Sequence, residues 1–227
     1  MADKQKNEIF MMPEGRVIVA NAFERDVYKD PDTGAEGKPK YKFVMAYDPA
    51  QVTGDGTIED KMADAIASAY GDTVADEWLA NPRRADRISP LKDGNEIAKE
   101  REAKGKESEA TKGKIIVSAD SIYNKDGVEG PGGFAVYGPD CAPLSITNGA
   151  GILFPGCYGI MAVTLHAYKD YPRKGDRGLK CYLAAFQVTR SDPSMKLSTA
   201  SDKSSLFKPV AGATAAPTEG VRRRRAG

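Results

Sequence analysis

The sequence is short of the residues from which most active and metal sites are built. It has one histidine, His166, one tryptophan and three cysteines among 227 residues. The cysteines, Cys141, Cys157 and Cys181, are odd in number and form no C-x-x-C pair. They signal neither a disulfide framework nor a zinc knuckle and read as reduced thiols in or near a core. A single histidine and no G-x-S-x-G leave serine-hydrolase chemistry without its parts. The glycines of Gly130-Pro131-Gly132-Gly133 neither follow a strand directly nor open a helix with Lys-Ser/Thr, which rules out a phosphate-cradling loop of the P-loop type. No apolar run approaches the ~20 residues that span a bilayer, and the N-terminus lacks an apolar signal core. The expectation is a soluble, cytoplasmic protein that needs no cofactor.

Strong net charge is also missing: the balance is +1. The charge is nevertheless uneven. From residue 191 onward there are seven basic and three acidic residues, leaving the preceding body mildly acidic. That argues against a uniformly basic coat, but a local patch still dominates at contact range. Apolar residues make up 41% and charged residues 29%, which fits a real core with unfolded sequence attached. Residues 191–227, rich in Ser, Thr, Ala, Gly and Pro and containing Arg222 to Arg225, read as a flexible basic tail. The domain expected to fold is 1–190.

Within that body the apolar pattern has mostly period two. Gly15 to Phe23 reads as a strand. Tyr41, Phe43, Met45 and Tyr47 alternate with Lys40, Lys42, Val44 and Ala46 in a second strand, which forms an antiparallel hairpin with the first. Thr57 to Tyr70 is helical, with Ile58, Met62, Ile66 and Tyr70 as a core-facing stripe. A short helix carrying Val74, Trp78 and Leu79 follows, and Trp78 is expected in the core. Arg83-Arg84-Ala85-Asp86-Arg87 is a basic connection. The charged run from Glu96 to Lys112 has almost no apolar stripe and is expected to be an exposed helix or a partly disordered excursion. Gly113 to Ile122 is a third strand, with Ile115, Val117 and Ala119 on one face.

The most informative stretch is the hairpin from Gly151 to Arg190. Met161, Val163 and Leu165 point one way; Tyr158, Ile160, Ala162, Thr164, His166 and Tyr168 point the other. In the return strand Lys180, Tyr182 and Phe186 are expected on one face, opposite Leu179, Cys181, Leu183 and Gln187. One face suits a core. The other mixes rings with cations and suits a ligand with flat rings and negative charge. Five or so strands with an inserted helical segment indicate a mainly β fold with inserted α: a small, five-stranded, partly open β-barrel of the OB type.

Several short motifs occur in an order that resembles a known family. They are Gly15 to Phe23, Pro39-Lys40-Tyr41-Lys42, Pro90-Leu91-Lys92-Asp93-Gly94, Ile115 to Ser121, Gly156-Cys157-Tyr158, Ala167-Tyr168, Gly175, Gly178 and Leu183 to Val188. Over about residues 14–190 the chain resembles the phage-encoded single-stranded DNA-binding proteins with an OB fold. The resemblance implies a non-enzyme that coats single-stranded DNA during phage replication or recombination. It also implies replication or recombination proteins of phage or host, and further copies of the chain, as partners. Bases would stack on Tyr41, Tyr158, His166, Tyr168 and Tyr182, and phosphates would meet Lys40, Lys42, Arg173, Lys174, Arg177 and Lys180. Sequence preference would be slight, because every base offers a π-face. Proteins of this kind often end in an acidic recruiting tail, whereas this chain carries Arg222 to Arg225, which would add phosphate contacts instead.

Two other classes compete. A β-rich domain with a tail also suits a phage structural or scaffold protein. Asp93, Glu96 and Asp120 would be the carboxylates of a metal-dependent nuclease, although their spacing is not diagnostic.

Overall fold

The alternating residues of Lys40–Tyr47 form one strand of a sheet with an apolar inner face and a mixed outer one. In a computed structural model, residues 8–27, 29, 34–37, 40–82, 89–121, 135–149, 151–169 and 177–197 are described. The chain is mainly β. In order it runs through β1 (Phe10–Met11), β2 (Gly15–Asp26), β3 (Lys40–Tyr47), α1 (Pro49–Val52), α2 (Ile58–Tyr70) and α3 (Asp72–Leu79). Then come β4 (Leu91–Asp93), α4 (Gly94–Ala103), β5 (Ile115–Asp120), β6 (Ala135–Tyr137), α5 (Ile146–Gly149), β7 (Tyr158–Lys169) and β8 (Arg177–Arg190). A 3-10 turn at Pro193–Met195 follows β8.

The eight described strands lie in one sheet. Pairing runs β7–β2–β3–β5–β8 and returns from β8 to β7, so these five strands form a ring. β2 and β3 are the antiparallel hairpin expected from sequence. β5 and β8 meet in parallel where Asp120 pairs with Tyr182. β1 lies on β7, β4 on β5 and β6 on β8.

Period two assigns the inner face. Phe43, Met45 and Tyr47 of β3, Ile115, Val117 and Ala119 of β5, and Met161 and Val163 of β7 are buried in one cluster. The stripe of α2 (Ile58, Met62 and Ile66) packs into the same cluster, as does Trp78 of α3. Each of the larger aliphatic and Phe side chains contributes about 1.5–3 kcal/mol by leaving water.

One expected face is corrected. Phe186 is not on the outer face with Lys180 and Tyr182. It is buried 4.5 Å from the ring of Phe43, measured between centroids. Val163 pairs with Leu183 but Ala162 pairs with Ala185, which leaves Ala184 as an extra residue. A bulge of this kind reverses the alternation beyond it. Phe186 and Val188 therefore turn inward, and Gln187 turns outward.

The outer face is divided. Towards one end, Ile18, Ala46 and Ile116 form a second buried cluster with Ala110, Leu197 and the partly buried Ile97. Two segments provide this cover. One is the charged excursion, which is ordered from Asn95 through Lys114. Asp93 caps α4 by accepting from the Asn95 N–H at 2.7 Å. Lys112 bridges Glu102 and Glu109. The other cover is the stretch after β8. Residues 191–197, which sequence assigns to the tail, pack on the body. Ser191 donates to Ile152 O at 2.6 Å, and Leu197 N–H donates to Pro155 O at 2.8 Å. Gly156, at φ 110, passes so close that a Cβ would lie 1.9 Å from Met195 O. The basic run Arg83–Arg87, the loop glycines 130–133, Gly175 and residues 198–227 lie outside the described residues.

Leu197 is 6% exposed, so Leu197→Ala is expected to lower stability by about 2–3 kcal/mol. The urea midpoint measures it. A change below about 0.5 kcal/mol, the scale of a surface substitution, would place 191–197 outside the folded body.

Candidate nucleic-acid interface

The half of the outer face left uncovered carries most of the residues singled out from sequence. Cross-strand register lines two of them, Lys42 and Tyr182, up in a row with Asp120 and Thr164. Lys42 of β3 stands opposite Asp120 of β5, Asp120 opposite Tyr182 of β8, and Tyr182 opposite Thr164 of β7. One step along the hairpin, Lys180 stands opposite His166. Directly opposed residues have Cβ atoms roughly 4.5–5.5 Å apart, so this is one continuous surface. The His166 and Tyr182 rings are 6.0 Å apart between centroids, and the Lys180 ammonium lies 5.9 Å from the centre of the Tyr168 ring. Lys40 forms an ion pair with Asp120.

The chemistry of the patch is that of rings flanked by cations. His166 is exposed, and Lys42, Tyr168, Lys180 and Tyr182 are half-buried. Burial raises the pKa of the Tyr182 phenol, and the charge of Asp120 and the neighbouring Tyr168 raise it further. Tyr182 therefore stays neutral, as a stacking surface requires. Beneath the patch, burial pushes the Cys181 thiol up to about 12, with Asp120 adding to the effect. Cys181 is a core thiol, and Cys157 is buried too, whereas Cys141 is exposed.

The remaining sequence candidates fall elsewhere. Tyr41 has the parity of Phe43, Met45 and Tyr47, the core side, and is half-buried there. Arg177 turns to the helical side of the hairpin: its guanidinium lies 5.6 Å from the centre of the Tyr70 ring. Tyr158 is eight residues from His166 along β7, about 26 Å of strand. It stacks under Arg190 at 3.9 Å. Arg190 is also held by Glu14 at 2.6 Å, and this bond is the chief cause of the lowered Glu14 pKa. A polar cavity of about 240 Å³ opens at that end, lined among others by Arg16, Asp48, Lys114 and Tyr158. Arg173 and Lys174 lie outside the described residues.

Sequence reasoning missed the part played by Tyr70. It sits in the apolar stripe of α2, but its hydroxyl reaches across to the end of the β7–β8 hairpin. It donates to Tyr168 O, lies 2.8 Å from Gly178 O, and accepts from Gly178 N–H at 3.2 Å. Lys169 and Arg177 flank its ring, each at 5.6 Å. The signal available was its place in the last turn of a helix, where cations gather against the dipole. On the opposite face of the hairpin the Tyr168 ring lies over Gly178, where a Cβ would come within 2.2 Å of it. Tyr70 and Gly178 together fix where Tyr168 stands.

The carboxylates considered for a nuclease are not gathered. Asp93 pairs in register with Ile115, at the opposite end of β5 from Asp120. Among the described residues no group of three or more His, Cys, Asp or Glu is placed to hold a metal ion. No described helix is long and apolar enough to cross a membrane.

Solved structures supply the comparison. In fold, the chain is similar to phage-encoded single-stranded DNA-binding proteins. The protein from bacteriophage Enc34, in complex with ssDNA, matches with a TM-score of 0.50 and 14% identity over 82% of this chain and 89% of that one. The single-stranded DNA-binding protein gp2.5 of bacteriophage T7 matches with a TM-score of 0.51 and 15% identity over 92% and 98%. At these identities the likeness is one of fold. No protein-family model matches the chain, and no curated protein sequence does either.

Removing the Tyr70 hydroxyl tests the link between helix and hairpin. Tyr70→Phe is expected to cost about 1 kcal/mol, read as a lower urea midpoint with the circular-dichroism spectrum unchanged. An unaltered midpoint would mean that the hydroxyl holds nothing.

Proposed function

We propose that this protein binds single-stranded DNA on the open outer face of the β3–β5–β8–β7 surface, as a non-enzymatic coat for DNA exposed in phage replication or recombination. The observation that carries this reading is the row Lys42–Asp120–Tyr182–Thr164, with His166, Lys180 and Tyr168 beside it on the same face. Rings at strand spacing offer stacking surfaces to successive bases, each worth ~1–3 kcal/mol. The ammonium groups of Lys40, Lys42 and Lys180 lie among them, where the phosphates between those bases would pass.

The ring of strands supports the same reading. We take it as an OB-type barrel: a ring of five strands, antiparallel but for one parallel contact, with helices α1 to α4 inserted in the chain between its second and third strands. In that fold the faces of the second and third barrel strands, and the loops at their end, take oligonucleotides. Here those strands are β3 and β5. The similarity in fold to two phage proteins that bind single-stranded DNA adds to the case. Arg173 and Lys174, between β7 and β8, are proposed as further phosphate contacts. Arg222 to Arg225 are proposed as nonspecific ones. Replication or recombination proteins are the proposed partners.

Titrating labelled oligo-dT with the protein tests this by fluorescence anisotropy. Binding is expected at low salt, weaker for duplex. Log K should fall against log salt by roughly 0.7 per neutralised phosphate. Tyr182→Ala is expected to weaken binding about tenfold, and Lys42→Ala is expected to make the salt slope shallower. No binding at low salt, or wild-type affinity in both variants, would overturn the proposal.

A further inference from the structure

An acid stands at the centre of a face otherwise made of rings and cations, and phosphate contact alone does not explain it. Asp120 lies between Lys42 and Tyr182 in one cross-strand row. Its side chain is 22% exposed, so it is neither buried nor turned away. Oδ2 is engaged by the Lys40 ammonium, while Oδ1 takes no hydrogen bond among the described residues. A carboxylate placed there repels every phosphate that approaches Lys40 or Lys42 and offsets their charge. A surface that only followed a backbone would bind better without it.

The position makes sense if the acid meets a base edge. Tyr182 is the direct neighbour of Asp120 on β8, and a base stacked on that ring would bring its hydrogen-bonding edge towards β5 or towards β7. On the β7 side stands Thr164, only 8% exposed, whose hydroxyl donates and accepts alike and discriminates little. On the β5 side stands Asp120, which only accepts. An ionised carboxylate accepts from the amino group of cytosine N4. Thymine carries the carbonyl O4 at the same ring position, and two acceptors face to face repel. The Lys40 ammonium holds the carboxylate in place.

We propose that Asp120 is a specificity-determining residue of this face, one that favours amino-bearing bases, cytosine in particular, over thymine at the Tyr182 position. The inference rests on the single-stranded DNA reading and deepens it: the coat is not indifferent to sequence but prefers strands that offer an exocyclic amine. Asp120 has a second role, fixing the ends of β3 and β5 through Lys40, but that role predicts no dependence on the base.

The test compares oligo-dC with oligo-dT, two pyrimidines of similar ring size, at equal length and salt and at neutral pH. The wild-type protein is expected to bind oligo-dC about five- to tenfold more tightly. Asp120→Asn keeps the size of the side chain and presents donor and acceptor together. It should bring the ratio near one, chiefly by tightening oligo-dT. Asp120→Ala, which has neither group, should also lose the preference. Lys40→Met removes a phosphate contact and the hold on Asp120. It should weaken binding to both oligonucleotides. A wild-type ratio near one would overturn the inference while leaving single-stranded DNA binding intact. So would an Asp120→Asn variant that tightens both oligonucleotides equally, since Asp120 would then be only a brake on the lysines. If neither oligonucleotide binds the wild-type protein, the reading beneath it falls as well.

Discussion

β8 is paired on both sides, and the rest of the molecule depends on that. It runs antiparallel to β7 along its whole length and touches β5 in parallel at Tyr182–Asp120. The first pairing makes the hairpin; the second turns a sheet into a ring. The bulge at Ala184 makes both possible, because it allows Leu179, Cys181 and Leu183 on one side of it, and Phe186 and Val188 on the other, all to face the core. Without the extra residue, Phe186 would leave its place against Phe43 and face water. That would cost on the order of 3 kcal/mol in lost burial.

Closing the ring gives the chain an outside surface that it then treats in two ways. Where the outer residues are apolar (Ile18, Ala46 and Ile116), the excursion around α4 and the return through Leu197 cover them. Around Lys42, His166, Lys180 and Tyr182 the outer residues are polar or aromatic and stay half-buried or exposed. The open patch is therefore what remains after the apolar part has been packed, and its edge follows the change from Val44 to Lys42 along β3. Tyr70 then ties the far end of the hairpin to α2, so that the rings of the patch stand on a braced support.

Much of this was legible because period two is a strong signal over eight or more residues. The inner positions of β3, β5 and β7 follow directly from alternation, as do the outer positions of Lys42, His166, Lys180 and Tyr182. So does the stripe of α2. The bulge was not legible: Leu183-Ala184-Ala185 are all small or apolar, and none marks the extra residue. β1, β4 and β6 have two or three residues each, too few for a period. Ser191 to Leu197 has the composition of a tail but packs because Leu197 finds a partly roofed apolar cleft. Asp120 showed least of all. It ends a strand whose other residues, Ser118 apart, are apolar, and its place between Lys42 and Tyr182 exists only once three strands are in register.

The account turns on which surface meets the nucleic acid. Photocrosslinking with an oligonucleotide that carries 5-iodouracil at successive positions, followed by peptide mapping, reads this directly, since the iodouracil radical couples to aromatic side chains that it stacks against. The account predicts crosslinks to Tyr182, His166 and Tyr168. Crosslinks confined to Tyr158 or Tyr137, with none on the β7–β8 patch, would contradict it.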